Sequence, residues 1–420
     1  MEEGGDRLGR CRTERPRLRD PIVTARAGHH RCRPQRVLHT IGQLTHGGAE
    51  LQLLGLLRHG TGDAFQHAVV CFWRAADEGI LAGLKEARCP VFFLDKRRGV
   101  DLGFVFRLAS LIRSWRPDVV HTWLQSGGLW GRIAARLGSN PPVVSSFRGE
   151  EAHRWPGGKY LDRLLAAHTA ECVVNSRRLQ TVLAERLNRD ESEIRLIPNG
   201  LEVSRFRREP PDAGVRRRLG LPEAGCVVTM VATMRPVKNW PLFLEVAGRV
   251  TAQRPDVTFV AAGGGPLLEE MKGRAASAGL GPDRVRMLGK RNDVPDILAQ
   301  SDLFVLTSDF EGMPNAILEA MASELCVVAT RCSGTEEVVV DGETGFLADV
   351  GDADGLVRHV LHCVDNPNQA EALGAEARRR AVRDFSFEKM ADGHRRAYCR
   401  ALSSRRASGA AVPSPTGDSR

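Results

Sequence analysis

The stretch that decides the fold reads S-D-F-E-G-M-P-N-A-I-L-E-A-M-A, from Ser308 to Ala322. It follows the apolar run Leu303–Leu306, which is typical of a buried parallel strand, and it ends in an Ala-rich segment of helical character. Pro314 suits the first turn of that helix, where its missing N–H costs nothing. The stretch therefore predicts a strand, a tight loop and a helix, the repeating unit of an α/β fold.

Two acids in this stretch, Glu311 and Glu319, are separated by seven residues. Glu311 is expected at the carboxyl end of the strand, and Glu319 about one turn into the helix. Ligands of open α/β sheets bind at this edge, and the free N–H groups of a helix start attract phosphate. Carboxylates accept hydrogen bonds from hydroxyls. The pattern favours a ligand that carries both phosphate and hydroxyl groups, such as a nucleotide-sugar.

Strand and helix patterns alternate through most of the chain, in two series. The first begins at Arg36, and the second follows the Arg- and Pro-rich segment 204–223, which interrupts the rhythm and is interpreted as a linker. Alternation of this kind indicates βαβ units. We expect an α/β protein of two Rossmann-like, doubly wound parallel-sheet domains that face each other across a cleft.

Composition excludes several classes of protein. The net charge is +9, but nine Arg against five acids in residues 1–35 and three Arg against one acid in 403–420 account for +6 of it. The core is therefore only mildly basic, which argues against nucleic-acid binding, while attraction of the tails to anionic lipid stays open. No run of 18 apolar residues is present, so no membrane-spanning helix is expected. The Arg-rich N-terminus is not followed by an apolar segment, a pattern that does not indicate a secretory signal. The ten scattered Cys form no C-x-x-C pair, which favours a reducing cytoplasm.

Glycines and cations supply the other candidate ligand contacts in loops after strands. Gly47 and Gly48 open the first helix and allow a ligand to approach the backbone, or they form an ordinary tight loop. Arg235 and Lys238 follow the first strand of the second series and could neutralise a diphosphate; the alternative is a solvated surface pair. The segment Gly263–Gly265 could contact a base or phosphate, or serve only as a tight connection.

Two candidates come from the first series. His121 ends its fourth strand and could touch a sugar hydroxyl or act as a general base, although a structural histidine fits the pattern equally well. Arg148 follows the next strand and is expected to face the cleft.

The ordered motifs resemble the retaining nucleotide-sugar glycosyltransferases of GT-B fold, glycosyltransferase family 4. The resemblance covers nearly all of residues 36–402. The matching pieces are Thr45–Glu50, Pro117–Trp123, Val173–Ser176 (V-V-N-S), Ile197–Gly200 (I-P-N-G), Arg235–Asn239, Gly263–Pro266, Glu311–Glu319 and Glu337–Leu347.

The resemblance implies a role for each matching position in the donor site. Glu311 would bind hydroxyls of the transferred sugar, Glu319 the ribose hydroxyls, and Lys238 with Arg235 the diphosphate and leaving group. The first-domain glycines would reach the phosphates and the acceptor. The remaining donor contacts that it implies come from the backbone of Gly312, Met313, Pro314 and Asn315, with the N–H groups supplied by the residues other than proline.

The chain departs from the family pattern in its details. The usual Arg aligns with Thr233, so that Arg235 is shifted by two positions; Arg148-Gly149 stands where many members carry His-Gly, and Ser126 where some carry His. No nucleophile is assigned, because retaining members favour a front-face mechanism. The resemblance implies no cofactor and no metal, with the nucleotide-sugar as co-substrate.

The implied organisation follows the family. It comprises a disordered Arg-rich tail (1–35), an acceptor domain (36–203), a linker (204–223) and a donor-binding domain (224–385). A crossover helix (386–402) then returns to the first domain, and a second disordered tail (403–420) follows.

The implied activity is transfer from a UDP- or GDP-sugar to a glycan or lipid-linked acceptor with retention, in cell-surface polysaccharide or glycolipid synthesis. The expected location is the cytoplasm, with peripheral contact at the inner face of an anionic membrane. The alternatives are a nucleotide-sugar epimerase of the same fold and a non-catalytic sugar-nucleotide-binding scaffold.

Overall fold

The computed structural model describes residues 33–45, 47–60, 62–149 and 158–407. Most of both predicted tails, His46 of the first glycine loop and residues 150–157 lie outside these ranges. Among the helices of the described residues, none has the length and apolarity needed to cross a bilayer.

Seven parallel strands form the first sheet, in the order β3-β2-β1-β4-β5-β6-β7. The order reverses between β1 and β4, as in doubly wound folds. The strands are β1 Gln35–Ile41, β2 Phe65–Cys71, β3 Val91–Phe93, β4 Val119–Trp123, β5 Val143–Phe147, β6 Glu171–Val174 and β7 Ile194–Leu196.

Six parallel strands form the second sheet, in the order β10-β9-β8-β11-β12-β13, with the reversal between β8 and β11. The predicted architecture of two doubly wound parallel sheets is thus confirmed. The strands are β8 Cys226–Val231, β9 Val257–Ala262, β10 Val285–Gly289, β11 Leu303–Leu306, β12 Cys326–Thr330 and β13 Gly345–Ala348.

Helices connect the strands and cover both faces of each sheet, so that the apolar strands are buried on both sides. They are α1 Gly48–His59, α2 Glu78–Glu86, α3 Leu102–Trp115, α4 Leu124–Leu137, α5 Gly158–Ala166, α6 Arg177–Leu187, α7 Ala213–Leu219, α8 Trp240–Gln253, α9 Leu268–Ser277, α10 Val294–Ala299, α11 Asn315–Ala322, α12 Thr335–Val338, α13 Ala353–Asp365, α14 Pro367–Asp384 and α15 Phe387–Ala407.

The chain passes between the two domains twice, at positions that lie side by side. The Leu201 N–H donates to the Phe385 carbonyl at 2.8 Å, and the Phe387 N–H donates to the Leu201 carbonyl at 3.3 Å. A Cβ added to Gly200 would lie 2.8 Å from Cα of Phe387, so the passages can approach this closely only with glycine at that position. We call residues 198–201 and 385–387 the hinge.

The predicted linker 204–223 is partly a structured element of the second domain. It contains α7, and Leu219 and Leu221 pack in a core cluster with residues of β8 and β9. The buried Arg216 guanidinium donates to the Gln300 carbonyl at 2.9 Å. Leu219, Leu221 and Arg216 thus attach this segment to the second domain.

The last helix is longer than predicted. It was expected to end at Leu402, but α15 runs to Ala407. The Ser403 and Ser404 hydroxyls donate to the carbonyls of Cys399 and Ala401, which accommodates these serines within the helix.

Candidate active site

Lys238 and Glu311 meet at the carboxyl edge of the second sheet. Lys238 ends the short 3₁₀ turn Pro236–Lys238 after β8, and Glu311 lies in the loop after β11. Because β8 and β11 are neighbours at the switch point, their loops converge. The Lys238 ammonium pairs with the Glu311 carboxylate, and the Ser308 hydroxyl donates to the same carboxylate oxygen at 2.6 Å. The two side chains are 18% and 10% exposed.

The loop after β12 supports Glu311 from behind. The Ser333 hydroxyl donates to the Glu311 carbonyl at 2.9 Å. Gly334 has a φ of +78°, and a Cβ there would lie 2.1 Å from the Gly312 carbonyl oxygen. This close approach requires glycine, and it fixes the backbone from which the Glu311 side chain projects.

Helix α11 starts directly after Glu311. Pro314 is the N-cap, and no side chain of the described residues caps this helix. The amide groups of its first turn therefore keep their attraction for an anion. Gly312 approaches the first domain closely, since a Cβ there would lie 2.9 Å from the Arg148 carbonyl oxygen. Met313 is buried at the same junction.

Glu319 occupies a different position from Glu311. It lines a cavity of about 70 Å³ between α1, the hinge and α11, together with Gln52, Arg205 and Asn315. Burial raises the pKa of Glu319 to about 7, against a smaller lowering by Arg205. This carboxyl can therefore change its charge near neutral pH.

The other predicted contacts of the second domain are less constrained by neighbouring side chains. Arg235 is exposed at the N-cap of the 3₁₀ turn that carries Lys238. Gly263 and Gly265 serve close packing of two loops, since an added Cβ would lie 1.8 Å from the Ala232 carbonyl oxygen and 2.7 Å from the Met234 carbonyl oxygen respectively. Their glycine identity follows from this packing without any ligand.

The glycine loop of the first domain reaches the start of α11. Gly47 is the N-cap of α1, and Gly48 is its first residue. A Cβ on Gly48 would lie 3.3 Å from Nδ2 of Asn315. The loops predicted to grip the donor from opposite domains are therefore adjacent.

His121 does not reach the cleft. Its side chain is fully buried, with Nδ1 2.8 Å from the Tyr398 hydroxyl and Nε2 2.8 Å from the Ser146 hydroxyl. Burial, and then the neighbouring His39, holds the pKa of His121 well below its usual range. The structure corrects the predicted catalytic role: Nδ1 bonds to Tyr398 of α15 and Nε2 to Ser146 of β5, so both ring nitrogens are used within the protein and the structural alternative applies.

The Arg148 side chain also turns away from the predicted contact. Its guanidinium lies 4.7 Å from the centre of the Trp123 ring, and Nη1 donates to Oδ1 of Asn199 at 2.5 Å. Burial lowers the pKa of Arg148 to about 9. The structure thus corrects the predicted donor contact of this side chain to a hinge contact, and only the Arg148 backbone meets the loop of Gly312.

Asn199 and Gln52 are important polar residues that the sequence prediction missed. Asn199 is buried in the hinge and hydrogen-bonds to both domains, and Gln52 on α1 bonds to Gly200 and Asn315. The I-P-N-G motif gave a signal for Asn199, but no pattern indicated what its side chain contacts.

The described residues bring together no group of three or more His, Cys, Asp or Glu side chains that could hold a metal ion. The eight cysteines that the structure describes are free thiols.

Two family models match the chain in succession. Residues 46–205 match the model "Glycosyltransferase Family 4", and residues 214–380 match "Glycosyl transferases group 1". The first match covers most of the first sheet domain and runs through hinge residues 198–201, and the second falls within the other domain.

Similar curated proteins include two bacterial transferases. The UDP-Gal:alpha-D-GlcNAc-diphosphoundecaprenol alpha-1,3-galactosyltransferase of Escherichia coli is 31% identical over 301 residues, which are 70% of this chain and 78% of that protein. The GDP-mannose-dependent alpha-(1-6)-phosphatidylinositol monomannoside mannosyltransferase of Mycolicibacterium smegmatis is 30% identical over 285 residues, 64% and 74% of the respective chains.

Solved structures share the fold at lower identity. HepE of Anabaena in complex with UDP and glucose matches with a TM-score of 0.75 at 22% identity, over 88% of this chain and all of that one. A glycosyltransferase from Rickettsia africae matches with a TM-score of 0.77 at 18% identity, over 88% and 99%.

Proposed function

The chain belongs to the glycosyltransferases of group 1 and family 4, with the GT-B fold, and from this membership we propose that it transfers a sugar from a UDP- or GDP-sugar to a glycan or lipid-linked acceptor with retention of anomeric configuration. The observation that carries the proposal is the Lys238–Glu311 pair beside the uncapped start of α11. One cation, one carboxylate and a helix start match the diphosphate and hydroxyl groups of such a donor.

In this proposal Lys238 and Glu311 exchange partners when the donor binds. The ammonium turns from the carboxylate to the diphosphate, while the carboxylate accepts hydrogen bonds from sugar hydroxyls. Ser308 holds the carboxylate in place meanwhile. Lys238 and the amides of α11 then stabilise the charge that develops on the leaving diphosphate, which is the largest contribution in reactions of this kind.

Glu319 would accept hydrogen bonds from the ribose hydroxyls. Arg235, which is exposed on the same turn as Lys238, would bind the diphosphate. Because Lys238 and Arg235 would neutralise the diphosphate, we propose that no divalent metal is needed. A donor phosphate oxygen would take the proton of the acceptor hydroxyl, since no side chain is assigned as base.

The relatives suggest the acceptor class. The E. coli protein acts on a diphosphoundecaprenol-linked sugar, and the M. smegmatis protein on a phosphatidylinositol mannoside. For this chain we therefore propose a lipid-linked acceptor in the assembly of a surface polysaccharide or glycolipid.

A surface of the first domain supports contact with an anionic membrane. Val100, Leu102 and Phe106 are 78%, 66% and 63% exposed at the start of α3, beside the exposed Arg97 and Arg98. Exposed apolar side chains beside arginines suit an anionic bilayer surface.

Lys96 gives the loop that carries this surface a defined shape. Its buried ammonium donates to the carbonyls of Arg97 and Gly99 at 2.8 and 2.6 Å, and lies 4.9 Å from the centre of the Trp130 ring.

Sedimentation with vesicles of phosphatidylglycerol tests the membrane contact. Phe106→Asp should abolish binding, whereas Leu164→Asp on α5, at a position equally exposed, should not. Equal binding by both variants would contradict the contact without touching the proposed transfer.

A thermal-shift screen with UDP-, GDP- and dTDP-sugars tests the donor. A donor that binds only the folded protein at 100 times its Kd stabilises it by about 2.7 kcal/mol. One nucleotide class should therefore raise the Tm, and Lys238→Ala should remove that rise while Lys272→Ala, an exposed lysine on α9, retains it. Epimerised donor without transfer, or binding without turnover, would favour the epimerase or the scaffold instead.

A further inference from the structure

Asn199 lies at the junction of the two domains. It belongs to the hinge and is only 5% exposed. Its neighbour Gly200 forms the close crossing with Phe387. The Asn199 side chain contacts both domains where the chain passes from one to the other.

The Asn199 amide group has its full set of hydrogen bonds. Oδ1 accepts from Nη1 of Arg148 at 2.5 Å and from Nδ2 of Asn175 at 3.2 Å, both on the first domain. Nδ2 donates to the Met313 carbonyl at 3.2 Å and to Oδ1 of Asn315 at 2.7 Å, both on the second. An amide offers two donors and two acceptor lone pairs, so all four are used, two toward each domain.

A second amide, that of Gln52, extends the connection to α1. Its Nε2 donates to the Gly200 carbonyl at 2.9 Å and to Oδ1 of Asn315 at 3.3 Å, and its Oε1 accepts from the Gly200 N–H at 2.8 Å. Asn315, on the second domain, thus accepts from α1 and from the hinge through one oxygen. We call Gln52, Asn199 and Asn315 the amide relay.

The relay joins the backbone segments that the proposed function places around the donor. Gln52 lies one turn after the Gly47–Gly48 loop, and Asn315 opens α11 directly after Glu311 and Gly312. The hydrogen bonds described for the relay include none to Lys238 or Glu311, so its members would act through the position of these segments. Buried hydrogen bonds tolerate little change in length. The relay therefore restricts the distance between the start of α1 and the start of α11.

Resting on the proposed transfer, we propose that Asn199 is a positioning residue that sets the register of the two halves of the donor site. Its loss leaves Lys238 and Glu311 intact but lets the loops drift apart. A misplacement of about 1 Å lowers the rate of an enzyme about 100-fold. The expected signature is a large fall in kcat with little change in affinity for UDP, the probe nucleotide.

Hydrogen exchange on the ligand-free protein tests the relay independently of any donor. Asn199→Ala should speed exchange at the first turns of both α1 and α11, although neither contains the substituted residue. Gln300→Ala is the matched control, because Gln300 is an equally buried amide whose Oε1 accepts from the Asp212 N–H within the second domain. It should leave both turns unchanged.

Conservative variants separate positioning from packing. Asn315 uses only Oδ1 in the relay, so Asn315→Asp should keep protection at α1 where Asn315→Ala loses it. Asn199→Asp keeps its two acceptors but loses both donors to the second domain, and should behave as Asn199→Ala does. The double variant Gln52→Ala/Asn199→Ala should lower kcat no more than the more damaging of the two single substitutions does.

The outcomes are distinct. Unchanged exchange at α1 and α11 in Asn199→Ala, or a rise shared with Gln300→Ala and spread over the chain, overturns the relay. A wild-type protein that uses no nucleotide-sugar refutes the proposed function, and the exchange data still decide whether the relay exists.

Discussion

At the scale of single residues, the site depends on charges that neutralise each other until a ligand arrives. Lys238 and Glu311 form a partly buried pair, so neither charge is left without a partner. Breaking such a pair by removing one partner is costly, because the other charge remains desolvated. A ligand that supplies a phosphate to one and hydroxyls to the other can replace the pair without that cost.

Glu319 should give the protein a pH-dependent stability. Burial raises the pKa of Glu319 from 4.5 to about 7, so the folded state binds a proton that the unfolded state has released. The stability associated with this group is present below pH 4.5 and is lost as the pH rises through 7. Glu319→Gln should therefore raise the Tm more at pH 8 than at pH 5, measured by calorimetry. An equal change in Tm at both pH values would contradict the raised pKa of Glu319.

At the scale of elements, the sequence predicted the type of most strands and helices, because their apolar runs are buried on both faces. The ends of the elements are less well marked in the sequence. The apolar helical pattern runs over Leu129–Leu137, but α4 begins at Leu124, and Gly127 and Gly131 allow the helix to pack closely against β1. Strand β13, Gly345–Ala348, is too short to give a clear strand pattern.

Glycines in two helices should respond oppositely to alanine. A Cβ at Gly127 would lie 2.4 Å from the Thr40 carbonyl oxygen, so Gly127→Ala should cost about 1–3 kcal/mol of stability. Gly273 in α9 has no atom within 4 Å of its added Cβ, so Gly273→Ala should stabilise by about 0.5–1 kcal/mol. Urea unfolding measures both. A neutral Gly127→Ala would show that α4 can move away from β1.

The candidate site was only partly predictable for a related reason. Lys238 and Glu311 follow neighbouring strands at a switch point, and topology alone brings such residues together. His121 lies within β4 and Arg148 follows β5, but their side chains turn inward to Tyr398 and Asn199. Those partners lie far away in the sequence, and no local pattern reports them.

At the scale of the whole molecule, α15 ties the end of the chain back to the first domain over a cluster of histidines. His39, His67, His121 and His394 lie in its interior, with Tyr398 of α15 among them. Burial lowers the pKa of His67 to about 4 and holds those of the other three well below their usual range. They are neutral in the folded protein.

This histidine cluster should make the fold sensitive to acid. Below pH 6.5 these histidines bind protons in the unfolded state but stay neutral in the folded state. The free energy of unfolding therefore decreases as the pH falls below 6.5. Each histidine contributes a slope of up to about 1.4 kcal/mol per pH unit. His394→Leu should reduce the slope between pH 6.5 and 5 in urea unfolding, because neither ring nitrogen of His394 has a hydrogen-bond partner among the described residues. An unchanged slope would contradict the buried neutral cluster.

The central claim is that Lys238 and Glu311 grip a nucleotide-sugar whose sugar is transferred. Purified wild type, Lys238→Ala and the control Lys272→Ala are incubated with a panel of nucleotide-sugars and a bacterial lipid extract, and free nucleoside diphosphate and glycosylated lipid are quantified. We predict that wild type and the control release diphosphate and glycosylated lipid in equal amounts from one donor class. Lys238→Ala should be slower by about 100-fold or more. Equal turnover by Lys238→Ala, or no donor consumption by wild type, would contradict the account.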